Sequence, residues 1–68
     1  LVPAVVVDAN HASVEEMVAV DGIGWALAER IVAYRDEHGV FGSLEDLTAV
    51  KGIGTKLLDH LHLELTVS

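Results

Sequence analysis

The sequence predicts an all-α fold of four to five short helices, organised as two similar units in one domain over residues 1–68. Three observations support this prediction. A Gly-Ile-Gly segment occurs twice, thirty residues apart, and a serine that can cap a helix stands nine residues before each copy. Between these landmarks apolar residues recur at spacings of three and four, as they do on the buried face of a helix. With 51% hydrophobic residues, the chain can bury one small core.

The N-terminal residues are expected to be extended. Residues 1–7 are apolar and mostly valine, and Pro3 disfavours a helix, so we expect a lead-in that runs across the helices. Residues 8–12 have the sequence Asp-Ala-Asn-His-Ala, which is typical of a turn because short polar side chains bond back to nearby backbone groups.

A first short helix should begin after Ser13. Ser13 and Glu16 have the spacing of a capping box, in which each side chain accepts a hydrogen bond from the other residue's backbone N–H. The helix is expected to end near Ala19, with Met17 and Val20 facing the core.

A longer helix is expected over residues 25–37, with Gly39 as its C-terminal stop, because glycine readily adopts the conformation that ends many helices. The apolar residues on its inner face are Leu27, Ala28, Ile31 and Tyr34.

The second unit repeats the first with changes. Ser43 repeats the cap, with Asp46 in the third helical position, and we expect a weaker box because aspartate reaches back less well than glutamate. A last helix is expected over residues 55–62, followed by a frayed or extended tail from Leu63 to the end. The apolar residues assigned to the core of this unit are Leu44, Leu47, Val50, Leu57, Leu58 and Leu61.

Each Gly-Ile-Gly segment is predicted to form a hairpin turn between two helices. In the first copy, Gly22 supplies a positive φ, Ile23 points into the core and Gly24 opens the next helix. Amide groups at a helix N-terminus have no intrahelical partner and lie at the positive end of the helix dipole. A turn of this kind therefore favours an anion such as phosphate.

The two units align without a gap, with residues 13–35 as the first repeat and residues 43–65 as the second. Neither repeat is large enough to bury its apolar face alone. We therefore expect the repeats to pack face to face with pseudo-two-fold symmetry, which places both hairpins on one side of the domain.

Charge and residue types restrict the function classes. Four Lys and Arg against eleven Asp and Glu give a net charge of −7, so any contact with nucleic acid must be local. The histidines lack metal-site spacing and no nucleophile stands in a pattern with a base, so we expect no metal site, no cofactor and no enzymatic activity. The acidic residues assigned to helix first turns, where negative charge favours the dipole, are Glu15, Glu16, Glu45 and Asp46.

Together these motifs resemble a tandem helix-hairpin-helix domain, specifically the ComEA type of bacterial DNA-uptake proteins. The resemblance covers nearly the whole chain, including residues 8–16, both hairpins, the joining helix that ends in Tyr34 and Arg35, and residues 39–41. It implies sequence-independent binding of double-stranded DNA, with hairpin amides contacting phosphates on both sides of the minor groove. The positions that it implicates are Gly22, Ile23, Gly24, Trp25, Ala26, Lys51, Gly52, Ile53, Gly54, Thr55 and Lys56.

The sequence departs from that family pattern at the hairpins. Trp25 and Thr55 stand where proline is common. Asp21 adds negative charge to the first hairpin, whereas Lys51 and Lys56 flank the second. We therefore expect the second hairpin to dominate any contact with phosphate.

Two functions remain open: a DNA-binding module of the kind used in DNA uptake, and an acidic scaffold that docks another protein. The resemblance and the basic second hairpin favour DNA. The chain begins with Leu1 rather than Met, so we interpret it as part of a longer protein. The ComEA resemblance implies an extracytoplasmic parent, anchored in a membrane by a segment outside this sequence, while this part makes no membrane contact itself.

Overall fold

The computed structural model describes residues 6–67, and the fold of this part is helical. The expected lead-in falls mostly on residues 1–5, which lie outside the described residues. The elements are β1 (Val7–Asp8), α1 (Val14–Val18), α2 (Trp25–His38), a 3₁₀ helix (Leu44–Ala49), α3 (Thr55–Leu61) and β2 (Leu65–Thr66). The all-α prediction is confirmed. Between residues 6 and 67, no helix has the length and apolar character needed to cross a membrane.

Both capping positions form as the serine spacing predicts. The hydroxyl of Ser13 accepts the N–H of Glu16 at 3.2 Å, and the Glu16 carboxylate accepts the N–H of Ser13 at 3.1 Å. In the second unit, one carboxylate oxygen of Asp46 accepts the N–H groups of Ser43, at 3.3 Å, and of Gly42, at 3.0 Å. The shorter aspartate therefore still reaches back, and it holds two amides at the start of the 3₁₀ helix.

The long helix ends at the predicted glycine. Gly39 has a φ of +90°, and its N–H donates to the carbonyl of Arg35 at 2.9 Å, which satisfies one of the last carbonyls of α2. The helix runs one residue beyond the prediction, to His38. On its inner face Ala28 and Ile31 are fully buried, whereas the remaining predicted core residues, Leu27 and Tyr34, are half-buried at the edge.

The core draws on both repeats. α1 packs against α2, and the 3₁₀ helix packs against α3. Burying an aliphatic side chain of this size contributes about 1.5–3 kcal/mol to folding, which is a large amount beside the roughly 5–15 kcal/mol net stability of a native protein. The largest fully buried side chains are Met17, Ile31, Leu47, Leu61 and Leu65.

The two ends of the described chain pair with each other. Strands β1 and β2 are parallel, with Val7 opposite Leu65 and Asp8 opposite Thr66. The N–H of Ala9 extends the pairing with a 2.8 Å hydrogen bond to the carbonyl of Thr66. Of the two expectations for the C-terminal tail, frayed or extended, the structure shows the extended one for Leu65–Thr66, because these backbone bonds and the burial of Leu65 hold the segment after α3 in place.

A buried asparagine fastens the N-terminal turn to the loop between the repeats. The amide of Asn10 donates to the carbonyl of Phe41 at 3.0 Å, and its oxygen accepts the N–H of Phe41 at 2.6 Å. The turn itself forms as predicted, since the carboxylate of Asp8 accepts the N–H of Asn10 at 2.9 Å. Arg35, on α2, also holds the N-terminal turn, because its Nη1 donates a 2.9 Å hydrogen bond to the carbonyl of Ala9.

Candidate functional site

The two Gly-Ile-Gly segments form matching turns, named here the first hairpin (residues 20–24) and the second hairpin (residues 50–54). Gly22 has a φ of +97° and Gly52 has a φ of +104°. Residues other than glycine rarely adopt this backbone conformation, so the first glycine of each hairpin is required by the turn, as predicted. The sequence of buried and exposed positions is the same over residues 20–31 and 50–61, so the repeat extends from the sequence to the fold.

The isoleucines anchor the hairpins from inside. Ile23 and Ile53 are both 4% exposed, so their side chains belong to the core. Their backbone N–H groups donate to the carbonyls of Val20 and Val50 respectively, each at 3.1 Å. The isoleucine amides, which the resemblance implicated in DNA contact, thus already have acceptors within the turn.

The second glycine of each hairpin is not required by the fold. Gly24 and Gly54 are N-caps with φ values of −86° and −104°, which other residues adopt freely. A Cβ atom built at either position would meet no atom within 4 Å. Neither glycine provides a side-chain cap, although serine or aspartate at an N-cap would stabilise the helix. The surface in front of each helix start is consequently open to an approaching group.

Uncapped amides lie directly behind Gly54. The first intrahelical hydrogen bond of α3 runs from the N–H of Leu58 to the carbonyl of Gly54, at 3.0 Å. The N–H groups of Thr55, Lys56 and Leu57 precede that bond and have no carbonyl four residues earlier within the helix. Thr55 and Lys56 are exposed and Leu57 is half-buried, so the start of α3 lies at the protein surface.

The first hairpin presents the same backbone with different side chains. Trp25 and Ala26 occupy the positions of Thr55 and Lys56, and the N–H of Ala28 makes the first bond, to the carbonyl of Gly24, at 2.9 Å. Trp25 remains 53% exposed. An exposed indole and a methyl group thus replace the hydroxyl and the ammonium group of the second hairpin.

The second hairpin is completed by a residue of the first repeat. Arg30, on α2, donates from Nη1 to the carbonyl of Lys51 at 3.4 Å. A Cβ atom on Gly52 would lie 3.2 Å from the same Nη1 and 3.3 Å from Leu27 Cδ1. Arg30, Lys51 and Lys56 are three of the four Lys and Arg residues of the chain. The second hairpin therefore concentrates the positive charge of a domain that is acidic as a whole.

The first hairpin is completed in the same way by the second repeat. A Cβ atom on Gly22 would lie 3.2 Å from Leu57 Cδ1 and 3.2 Å from His60 Cδ2. His60 Nε2 lies 3.0 Å from the carboxylate of Asp21, and Glu64 offers a further carboxylate within 4.8 Å of these groups. These contacts mirror those at the second hairpin, as pseudo-two-fold symmetry requires. The charge is opposite, however, because carboxylates surround the first hairpin.

Sequence reasoning missed Arg30 and Glu64 as members of the hairpin surfaces, and it placed His60 near the second hairpin, whereas the structure places His60 at the first. Arg30 and His60 occupy the same position of the two repeats, thirty residues apart. That equivalence was available from the alignment of the repeats. What the alignment could not show is that each of these side chains crosses to the hairpin of the other repeat.

Comparison with known proteins places the chain in a family. A family model described as "Helix-hairpin-helix motif" matches residues 2–66. The chain is 43% identical over 61 residues to ComE operon protein 1 of Bacillus subtilis (strain 168), an alignment that covers 90% of this chain and 30% of that protein. This similarity confirms the resemblance inferred from the motifs.

Two other relatives share the same segment. Transcriptional accessory protein Tex of Neisseria gonorrhoeae is 45% identical over 58 residues, covering 85% of this chain and 8% of that protein. Endonuclease/exonuclease/phosphatase family domain-containing protein 1 of Danio rerio is 41% identical over 59 residues, covering 87% of this chain and 11% of that protein. The chain thus spans less than a third of the length of these relatives. Because the family model matches nearly the whole chain, this protein belongs to the helix-hairpin-helix family.

Proposed function

We propose that this protein binds double-stranded DNA without preference for base sequence, through backbone amides that contact phosphates. The observation that carries the proposal is the pair of glycines at 24 and 54. The fold does not require either glycine, and each leaves a helix start uncapped and open. Glycine at such a position allows a phosphate to approach the backbone closely, and the amides of a helix start favour an anion.

The contacts are proposed to come from the second glycine of each hairpin and the first helical turn behind it. At the second hairpin these are the amides of Gly54, Thr55 and Lys56, and at the first those of Gly24, Trp25 and Ala26. The amides of the isoleucines are excluded because they bond within the turns. Contacts of this type read phosphate position and carry no base information, so the binding is indifferent to sequence.

Local charge favours the second hairpin. Arg30 contacts the second hairpin through the carbonyl of Lys51, and Lys51 and Lys56 belong to the hairpin and to the first turn of the helix behind it. Those charges of the net −7 that lie more than about 10 Å from the hairpin are largely screened at 0.1 M salt. A domain of this charge can therefore bind DNA through one basic surface, with an affinity that falls as salt rises.

A role in DNA uptake is the biological setting that the similarity to ComE operon protein 1 suggests. The relatives have different names, and the chain covers only 30%, 11% and 8% of their lengths, so we propose a non-catalytic binding module that larger proteins use in different settings. Under this proposal the parent protein supplies localisation, and this segment supplies the contact with DNA.

The competing proposal is an acidic scaffold that docks another protein. It is favoured by the net charge of −7 and by the exposure of Trp25 and Leu63, at 53% and 76%. Under that proposal the hairpins are structural turns, and duplex DNA has no effect on the amides behind Gly54.

A titration with two short duplexes of unrelated sequence tests the proposal. Neutralising about two to four phosphates gives a slope of roughly −2 to −4 in log K against log salt. We expect weak binding with that slope and equal affinity for both duplexes. Undetectable binding at low ionic strength would overturn the proposal, and a strong preference for one duplex would show that base edges are read.

A further inference from the structure

Three potential metal ligands converge beside the first hairpin. Asp21 lies in the hairpin, His60 lies on α3, and Glu64 lies between α3 and β2. One ligand atom from each residue falls within 4.8 Å of the other two. His60 Nε2 and the carboxylate of Asp21 are already 3.0 Å apart, a separation that suits two ligands of one ion as well as it suits a hydrogen bond.

The pseudo-symmetry of the fold points to a cation at this place. His60 is the counterpart of Arg30, and each side chain reaches the hairpin of the other repeat. At the second hairpin the chain supplies its own cation there, the guanidinium of Arg30. At the first hairpin the same place is lined by an imidazole and two carboxylates, which are groups that bind a cation.

We propose that Asp21, His60 and Glu64 bind one divalent transition-metal ion of the zinc type. Imidazole favours Zn²⁺, Co²⁺ and Ni²⁺ over Mg²⁺ and Ca²⁺, and carboxylates bind the same ions. Ligands at about 2.0–2.2 Å from Zn²⁺ lie closer to each other than 4.8 Å, so the carboxylates move slightly inward on binding. The exposure of the Asp21 side chain, at 77%, leaves room for that movement.

The position of the imidazole is set by the fold. His60 Cδ2 packs against Gly22, with the place of a Cβ only 3.2 Å away, so the ring lies on the hairpin with Nε2 beside Asp21. Three protein ligands leave coordination positions for water. Binding of a divalent ion changes the formal charge of the three side chains and the ion together from −2 to neutral, which removes the negative charge of the first hairpin surface.

Titration of the 68-residue chain with ZnCl₂ in the absence of DNA tests this site independently of the proposed function. We expect calorimetry to give one Zn²⁺ per chain. Amide and imidazole NMR signals should shift at Asp21, His60 and Glu64. Shifts spread over the acidic helix starts at Glu15 and Glu45, or binding without a defined stoichiometry, would overturn the proposal.

Matched variants separate the site from general attraction to an acidic protein. His60→Gln and Glu64→Gln each remove one ligand, and each should weaken Zn²⁺ binding by at least about tenfold, since loss even of an outer-shell partner costs about 10–100-fold. His62→Gln and Glu45→Gln change the same residue types at exposed positions outside the cluster and should bind as the parent chain does. Equal effects of cluster and control variants would contradict the site, and thermal melts establish that each variant is folded.

Discussion

Arg30 of the first repeat donates a hydrogen bond to the backbone carbonyl of Lys51 in the second hairpin, with Nη1 and the oxygen 3.4 Å apart. Its counterpart in the second repeat, His60, contacts Asp21 in the first hairpin at 3.0 Å. The two repeats therefore exchange side chains across their interface, and each hairpin surface is built by both of them. The charge of a hairpin consequently depends on a residue of the other repeat.

Removing the positive charge of Arg30 should weaken DNA binding at the second hairpin. Arg30→Gln takes away one of the three positive charges assigned to the second hairpin, so we expect a several-fold loss of affinity and a salt slope shallower by about one. Arg30→Lys keeps the charge and should retain most of the affinity. A duplex titration of the three proteins measures both quantities. Unchanged binding by Arg30→Gln would show that Arg30 does not contribute to phosphate binding at the second hairpin.

A change of charge at either hairpin should alter DNA binding, with added negative charge weakening it and added positive charge strengthening it. Each exposed charge close to a phosphate contributes on the order of 1 kcal/mol in a medium of high dielectric constant. Lys56→Glu replaces an attraction with a repulsion and should weaken binding by roughly tenfold or more, because about 1.4 kcal/mol is a factor of ten. Asp21→Lys should strengthen binding and steepen the salt slope by about one.

Amide chemical shifts measured as a duplex is added show which residues contact the DNA. Perturbed amides should concentrate over residues 52–57, with smaller changes over residues 22–27. Perturbations centred on Glu15 and Glu45 instead, or a silent Lys56→Glu, would favour the protein-docking scaffold.

The two glycines of a hairpin should separate stability from binding. Gly54 has a φ of −104° and open space around it, so Gly54→Val should remain folded and lose DNA binding as the valine blocks the approach of a phosphate. Gly22 has a φ of +97° and packs against Leu57 and His60, so Gly22→Ala should mainly lower the melting temperature. Thermal melts beside the binding assay distinguish these effects. Normal binding by a folded Gly54→Val would contradict the amide contact.

The two hydrogen bonds between Asn10 and Phe41 should contribute a large share of the stability. Asn10→Ala leaves the buried N–H and C=O of Phe41 without their side-chain partner, and each such group costs about 1–3 kcal/mol. We expect a loss of about 2–4 kcal/mol in the free energy of unfolding and a melting temperature lower by roughly 10–25 °C. His11→Ala, at the exposed neighbouring position, should change stability by about 1 kcal/mol or less. Similar melting temperatures for both variants would show that the Asn10–Phe41 hydrogen bonds contribute little to stability.

The helix boundaries and the hairpins could be predicted from the sequence because their causes are local. Ser13 and Glu16 lie within one turn of each other, Gly39 ends α2 through a bond to Arg35, and Gly22 needs only its own φ. Each of these signals spans about four residues. The two repeats, spaced thirty residues apart, then predicted the packing of two equivalent units, since neither could bury its apolar face alone.

The contacts between distant residues were decided by the tertiary structure. These contacts join residues far apart in the chain: Val7 pairs with Leu65, and Asn10 bonds to Phe41. Arg30 and His60 each contact the hairpin of the other repeat. No local propensity determines which polar groups such packing brings together. The sequence by itself therefore determined two similar hairpins of unequal charge. Only the folded interface, by placing each repeat's side chain on the other repeat's turn, determined which charges each hairpin presents.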